Sequence, residues 1–207
     1  MNRITKELKI LAFGDSLTKG YIQSGVYHPY TLKLNQHLKN DNLSYIVDDN
    51  GLNGEKTDTM ISRLKDILNT TKYEMVIIFA GTNDLGWKVD PVTIIENIEK
   101  IHKVALEKNL RTMAVTLPIN IFEKGESYSI RRKQVNEGII NLTKMNKNMN
   151  LCNSEGRIPC NLEDVIFSNE DEDDNKNEYW SDGLHLSSKG YDLLGDLIYN
   201  DLKQLLI

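Results

Sequence analysis

Cysteine is scarce in this sequence, no apolar run approaches the length of a membrane span, and basic charge is outnumbered. Cys152 and Cys160 are the only two cysteines in 207 residues, too few for a disulfide scaffold, and a chain of this length buries a full core without one. Two unpaired thiols in a reducing compartment are expected. Neither a CxxC nor an HxxxH spacing is present, so no metal site is expected. A net charge of -5 gives no basic field for nucleic acid or an anionic membrane. The four basic residues between Lys124 and Lys133 are sparse and read as a solvated face near a helix start.

Targeting signals are missing as well. The stretch from Met1 to Leu8 has no apolar h-region and no small-residue cleavage site, so no signal peptide is expected. The expected compartment is the cytoplasm, with no membrane insertion. The tripeptides beginning at Asn42, Asn69 and Asn141 fit a glycosylation pattern, but without secretion they are chance matches. No internal repeat is visible. The five consecutive acidic residues from Glu170 to Asp174 lack the glycine and the ligand spacing of a calcium loop. They read as a solvated surface loop, placed before Asp182 where a gating role has room.

What is present is alternation. Short apolar runs are separated by longer segments of helical period, the pattern of βαβ units and a parallel sheet. Strands are expected at Lys9–Phe13, Ser44–Asp49, Met75–Ala80, Arg111–Leu117 and Arg157–Leu162. The continuous run Met75-Val76-Ile77-Ile78-Phe79-Ala80 suits a central strand covered on both faces. Helices are expected at His28–Leu38, Thr57–Leu68, Pro91–Lys108, Ser129–Asn146 and Ser187–Leu206, the last capped by Ser187. Five strands and five helices in alternation imply an α/β fold, a three-layer α/β/α sandwich over residues 1–207 as one domain.

Three short segments carry the chemistry. Gly14-Asp15-Ser16-Leu17 follows the first strand, Gly81-Thr82-Asn83-Asp84 the third, and Asp182-Gly183-Leu184-His185 precedes the last helix. In doubly wound sheets ligands sit outside the carboxyl ends of the strands, so the topology brings all three to one edge. A serine hydroxyl is a weak attacker at neutral pH and requires an adjacent base. His185 can both take and return a proton, and Asp182, three residues earlier, can reach the far ring nitrogen. An oxyanion formed by attack of Ser16 on a carbonyl needs preorganised donors. Asn83 offers a side-chain amide, the Ser16 N–H a second donor, and Gly54 or Gly51 in Asn50-Gly51-Leu52-Asn53-Gly54-Glu55 a third, with Gly54 nearer the following helix.

Taken together, these blocks resemble those of the SGNH-hydrolase (GDSL esterase/lipase) family. The first block is Phe13-Gly14-Asp15-Ser16-Leu17-Thr18-Lys19-Gly20-Tyr21, and the glycine block is Asn50-Gly51-Leu52-Asn53-Gly54-Glu55. The asparagine block is Gly81-Thr82-Asn83-Asp84, and the last runs from Asp182 through His185 to Tyr191. The match spans residue 9 to about 200, in order. The resemblance implies a flavodoxin-like sandwich with a five-stranded parallel sheet. It also implies hydrolysis of carboxylic esters without a cofactor, with Ser16, Asp182 and His185 as triad and Ser16, Gly54 and Asn83 as oxyanion hole. One departure is that bulky Asn53 and Glu55 flank Gly54, where the family commonly has small residues.

Substrate identity is less legible, since one fold hosts many activities. Tyr21, His28, Trp87 and Trp180 lie near the catalytic blocks and could line a pocket or serve as ordinary packing. Tyr27-His28-Pro29-Tyr30 is similar to soluble esterases of the family that act on small acetate-type esters, and no long apolar lid segment is evident. The expected partner is a small-molecule ester. Alternatives on the same site are a lysophospholipase or thioesterase, an acyl transferase, and a catalytically silent binding module.

Overall fold

Strand β1 (Leu8–Gly14) forms because it is apolar on both faces, and Ile10, Leu11, Ala12 and Phe13 are fully buried. In this computed structural model, which describes residues 7–124, 126–160 and 178–206, β1 is followed by a single helical turn, α1 (Ser16–Lys19). A small antiparallel hairpin comes next, β2 (Tyr21–Ile22) and β3 (Val26–Tyr27). Then come α2 (Thr31–Asn40), β4 (Tyr45–Gly51), α3 (Thr57–Thr70), β5 (Met75–Phe79) and the short α4 (Thr82–Gly86). The chain continues through α5 (Pro91–Leu106), β6 (Arg111–Val115), α6 (Glu126–Met145), β7 (Met149–Cys152) and α7 (Ser188–Leu206).

Five strands among the described residues make one parallel sheet in the order β4-β1-β5-β6-β7. Counted within that sheet alone, this is the doubly wound order 2-1-3-4-5, which reverses direction at β1. Alternation along β1 sorts its side chains onto two buried clusters. Ile10 and Ala12 join Leu34 and Leu38 of α2 and Leu194 and Ile198 of α7. Leu11 and Phe13 join Met60 and Leu64 of α3 and Ile101 and Ala105 of α5 on the other face. The layers are therefore helix, sheet and helix.

Three expectations from the sequence need correction. The fifth strand is β7, not Arg157–Leu162. Arg157 lies in a turn and pairs with Asp201 of α7, and 161–162 lie outside the described residues. β7 escapes a propensity reading because Asn148, Asn150 and Asn153 crowd it, and asparagine is depleted in strands. At the sheet edge it is tolerated, with the Asn150 amide donating to the Thr112 carbonyl at 3.0 Å. Second, α2 starts at Thr31 rather than His28, because Pro29 drives the residue before it out of helical conformation.

Third, the basic residues near Lys133 are not simply a solvated face. Arg132 is fully buried, ion-paired to Glu123 and to Glu155 (3.0 Å), and donates to the Leu117 carbonyl. Arg131 donates to the carbonyls of Leu85 and Val89. Expectations that hold include Ser187 as the cap of α7, accepting from Gly190 N–H at 3.1 Å, and Pro91 at the start of α5. The acidic run Glu170–Asp174 lies outside the described residues. Among those described, no helix is long and apolar enough to cross a membrane.

Candidate active site

The turn after β1 is built by sterics. A Cβ on Gly14 would lie 2.2 Å from the Phe79 carbonyl oxygen and 2.3 Å from Thr18 Oγ1, so only glycine fits beside β5 there. Asp15 then caps α1: its Oδ1 accepts from Leu17 N–H at 2.9 Å, and its carbonyl accepts from Lys19 N–H at 3.0 Å. Ser16 therefore begins the helical turn at the carboxyl end of β1, an interior strand of the sheet, and is 7 % exposed. Its N–H belongs to the first turn, where no intrahelical acceptor exists.

From the far end of the chain, the loop before α7 delivers the other partners. The Ser181 N–H bond to the His185 carbonyl (2.8 Å) pinches this loop, and Gly183 turns it with φ of 81°. Asp182 Oδ1 accepts from Leu184 N–H (3.0 Å) and His185 N–H (2.7 Å), leaving Oδ2 at 2.7 Å from His185 Nδ1. His185 Nε2 then stands 3.0 Å from Ser16 Oγ. Burial opposes ionisation of Asp182, but the bonds from the His185 ring and the two backbone N–H groups prevail and hold its carboxyl below the usual range. Tyr21 of β2 stands edge-on to the imidazole, ring centroids 4.7 Å apart. The sequence-derived trio Ser16, His185 and Asp182 is thus brought together in one hydrogen-bonded row.

The sequence-derived donor candidates Asn83 and Gly54 lie on two further segments. Gly81, with φ of 117°, opens α4, and the Asn83 amide in its first turn donates to the Glu55 carbonyl at 2.9 Å. Asp84 accepts from both the N–H and the hydroxyl of Thr57, tying α4 to the start of α3. Between the two glycines, the geometry discriminates. Gly51 N–H is engaged by Asp49 Oδ1 at 3.0 Å, and a Cβ there would lie 2.1 Å from Lys19 N, so Gly51 serves close packing. Gly54 is exposed in the left-handed region (φ 75°), and among the described residues its N–H donates to no protein acceptor.

Asp15 is the unusual titrating group. Burial lifts its pKa from 3.8 to about 7, against the Leu17 N–H bond and the nearby His185, with the charges of Asp84 and Glu55 adding to the rise. Among the described residues its Oδ2 is buried without a hydrogen-bond partner.

Beside Asn83 lies an open cleft of about 290 Å³ lined by Thr82, Asn83, Gly86, Trp87, Phe122, Tyr128 and Leu184. Trp87 is 76 % exposed at its rim. Of the other aromatic candidates, Tyr21 packs on the imidazole and His28 pairs with Asp192 at 2.9 Å. Trp180 is core: it is 1 % exposed, with its indole N–H on the Pro159 carbonyl. The sequence reading missed Phe122 and Tyr128, which line this cleft. Their signal was weak, since an isolated aromatic on a helix or loop looks like any other. Among the described residues, no group of three or more His, Cys, Asp or Glu side chains is placed to hold a metal ion.

A family model described as GDSL-like lipase/acylhydrolase matches residues 12–193. Solved structures are similar over nearly the whole chain. A lipase/acylhydrolase from Enterococcus faecalis is 25% identical with a TM-score of 0.73, covering 97% of each chain. A family 3 carbohydrate esterase from Clostridium thermocellum is 20% identical, TM-score 0.72, covering 96% of each. A psychrotrophic esterase from a Pseudoalteromonas species is also 20% identical, TM-score 0.72, covering 96% of this chain and 98% of its own. No curated protein matches the sequence.

Proposed function

The chain belongs to the GDSL-like lipase/acylhydrolase family, and on that footing we propose that it is a serine esterase acting on small carboxylic esters with short acyl groups. The observation that carries this reading is the row Asp182–His185–Ser16, with contacts of 2.7 and 3.0 Å. A hydroxyl becomes a useful nucleophile when a base lies within hydrogen-bond reach and a third group orients that base.

In the proposed reaction His185 Nε2 takes the Ser16 proton as Oγ attacks the ester carbonyl. The oxyanion is held by the N–H groups of Ser16 and Gly54 and by the Asn83 amide. His185 returns the proton to the leaving alcohol, the C–O bond breaks, and an acyl-enzyme remains. Water, losing a proton to His185, then attacks that ester, and His185 passes the proton to Ser16 Oγ as the acyl C–O bond breaks, releasing the acid and free Ser16. Ionised Asp182 holds the ring so that Nε2 faces Ser16 and stabilises the imidazolium.

The cleft beside Asn83 supports the choice of substrate. It is open, apolar and small, suited to a short acyl group. Two of the similar structures are of an esterase and a carbohydrate esterase, which is in keeping with an ester substrate. Free Cys152 and Cys160 accord with a reducing, cytoplasmic setting.

The test is hydrolysis of p-nitrophenyl acetate, butyrate and octanoate by the wild type and by Ser16→Ala. Ser16-dependent turnover, fastest on the shorter esters, is expected. No turnover above that of Ser16→Ala on any of the three would overturn the reading.

A further inference from the structure

The loop carrying Gly54 has little packing of its own. A Cβ on Gly54 would meet nothing within 4 Å, and neighbouring Leu52 is half exposed. The loop is anchored before Gly54 by Leu52 N–H on the Gly14 carbonyl (3.1 Å) and by the Asn53 amide on the Tyr27 hydroxyl (3.0 Å), but nothing packs on Gly54 itself, so its N–H takes its aim from its neighbours. The next residue, however, is held on every side. Glu55 N–H donates to the Leu52 carbonyl (3.2 Å), and the Glu55 carbonyl accepts from the Asn83 amide (2.9 Å). Its buried carboxylate is ion-paired to Arg63 of α3.

Arg63 reaches further than Glu55. Its Nε donates to the Glu55 carboxylate at 2.8 and 2.9 Å. One terminal nitrogen donates to the Asn50 carbonyl (3.1 Å) and side-chain oxygen, at the end of β4. The other donates to the Gly14 carbonyl (3.0 Å), two residues before Ser16, and to Glu55 again. All five guanidinium N–H donors therefore have acceptors. The plane packs on Phe13, its central carbon 4.0 Å from the ring centroid. One side chain thus grips the turn before Ser16, the end of β4 and the residue after Gly54.

We propose that Arg63 and Glu55 are the positioning pair of the oxyanion hole, setting the Gly54 N–H, the Asn83 amide and the Ser16 N–H in mutual register. This rests on the esterase reading of Ser16. It also accounts for the bulky Glu55 beside Gly54: the side chain turns inward to Arg63, so its bulk stays out of the site. Neither residue is placed to touch substrate; both act through the three donors, the Asn83 amide by way of the Glu55 carbonyl. A lysine at 63 would keep the charge but lose the planar fork that serves three loops at once.

The test uses Arg63→Lys and the milder Glu55→Gln, hydrolysing p-nitrophenyl acetate. Competent sites are counted by the stoichiometric burst from diethyl p-nitrophenyl phosphate, so that kcat is expressed per competent site. Displacing a catalytic group by about 1 Å costs roughly 10²-fold. Arg63→Lys should lower kcat by about that factor with KM within about threefold of wild type, as expected when a contact made only in the transition state is lost. Glu55→Gln should lose in the same sense, and it decides the matter if Arg63→Lys does not fold. Because both act through the hole, the Arg63→Lys loss should shrink to less than about tenfold in an Asn83→Ala background. A kcat within about threefold of wild type, a rise in KM alone, or full additivity with Asn83→Ala overturns the proposal while leaving the esterase intact. Absence of Ser16-dependent turnover in the wild type removes both readings together.

Discussion

The Asn83 amide spends one of its two N–H bonds on the Glu55 carbonyl, 2.9 Å away. That bond fixes the amide plane and leaves the second N–H free for the oxyanion of the proposed reaction. Replacing Asn83 with Ala removes the donor and should lower kcat by about 10²–10³-fold, with little change in KM. Replacement with Asp should be at least as damaging, because an ionised carboxylate has no N–H and would face the oxyanion with like charge. Steady-state kinetics on p-nitrophenyl acetate check both. An unchanged kcat removes Asn83 from the hole.

Asp182 orients His185 through Nδ1 and stays ionised well into acid, because hydrogen bonds hold its carboxyl below the usual range despite burial. An Asn there can present its NH₂ group to Nδ1 and favour the wrong tautomer. Asp182→Asn should lower kcat by roughly 10⁴-fold at neutral pH without unfolding the protein. Circular dichroism and kinetics on one preparation separate the two effects. A loss smaller than about tenfold would mean that the carboxylate does not orient the base.

Stability should carry the signature of Asp15. Its pKa rises from 3.8 to about 7 in the folded protein, mainly through burial. Between those values the native state keeps a proton that the unfolded chain has released, so stability falls as pH rises through the window. Asn at this position caps α1 equally well and does not titrate. Asp15→Asn should therefore gain on the wild type by up to roughly 4 kcal/mol between about pH 4 and about pH 8. Urea unfolding of both proteins across this range measures the gap. A constant difference would show that Asp15 does not hold its proton.

Acyl preference should respond to Trp87, which lies 76 % exposed at the rim of the cleft. Butyrate exceeds acetate by two methylenes, each worth about 0.8 kcal/mol if fully buried. Trp87→Ala should cut the butyrate-to-acetate ratio of kcat/KM by up to about tenfold while leaving acetate within about threefold. Equal losses on both esters would place the acyl group elsewhere.

The sequence was most readable where structure is local. Ile10–Phe13 and Met75–Ala80 are continuous apolar runs, and the strands expected at Lys9–Phe13 and Met75–Ala80 become β1 and β5 nearly residue for residue. Ser16, Asn83 and the Asp182–His185 loop each sit in a turn whose own glycine and capping residue dictate its shape. Legibility failed where a residue takes its meaning from a distant partner. β7 is held as a strand by β6 despite its asparagines. Arg132 is buried because Glu123 and Glu155 converge on it from other segments. Arg63 looks like a surface residue of an amphipathic helix until Gly14 and Asn50 come into place around it.

Ser16 and His185 meet across 169 positions of sequence. At a translation rate of about 5–20 residues per second, Ser16 precedes His185, its proposed base, from the ribosome by roughly 10–30 s. During that interval the hydroxyl is as inert as any other serine's, and the nascent chain cannot acylate itself or its neighbours. Reactivity arrives only when α7 docks beside α2 and carries the histidine home. On the proposed reading, ester cleavage would report finished folding, and its recovery after dilution from denaturant would time the last long-range step of assembly.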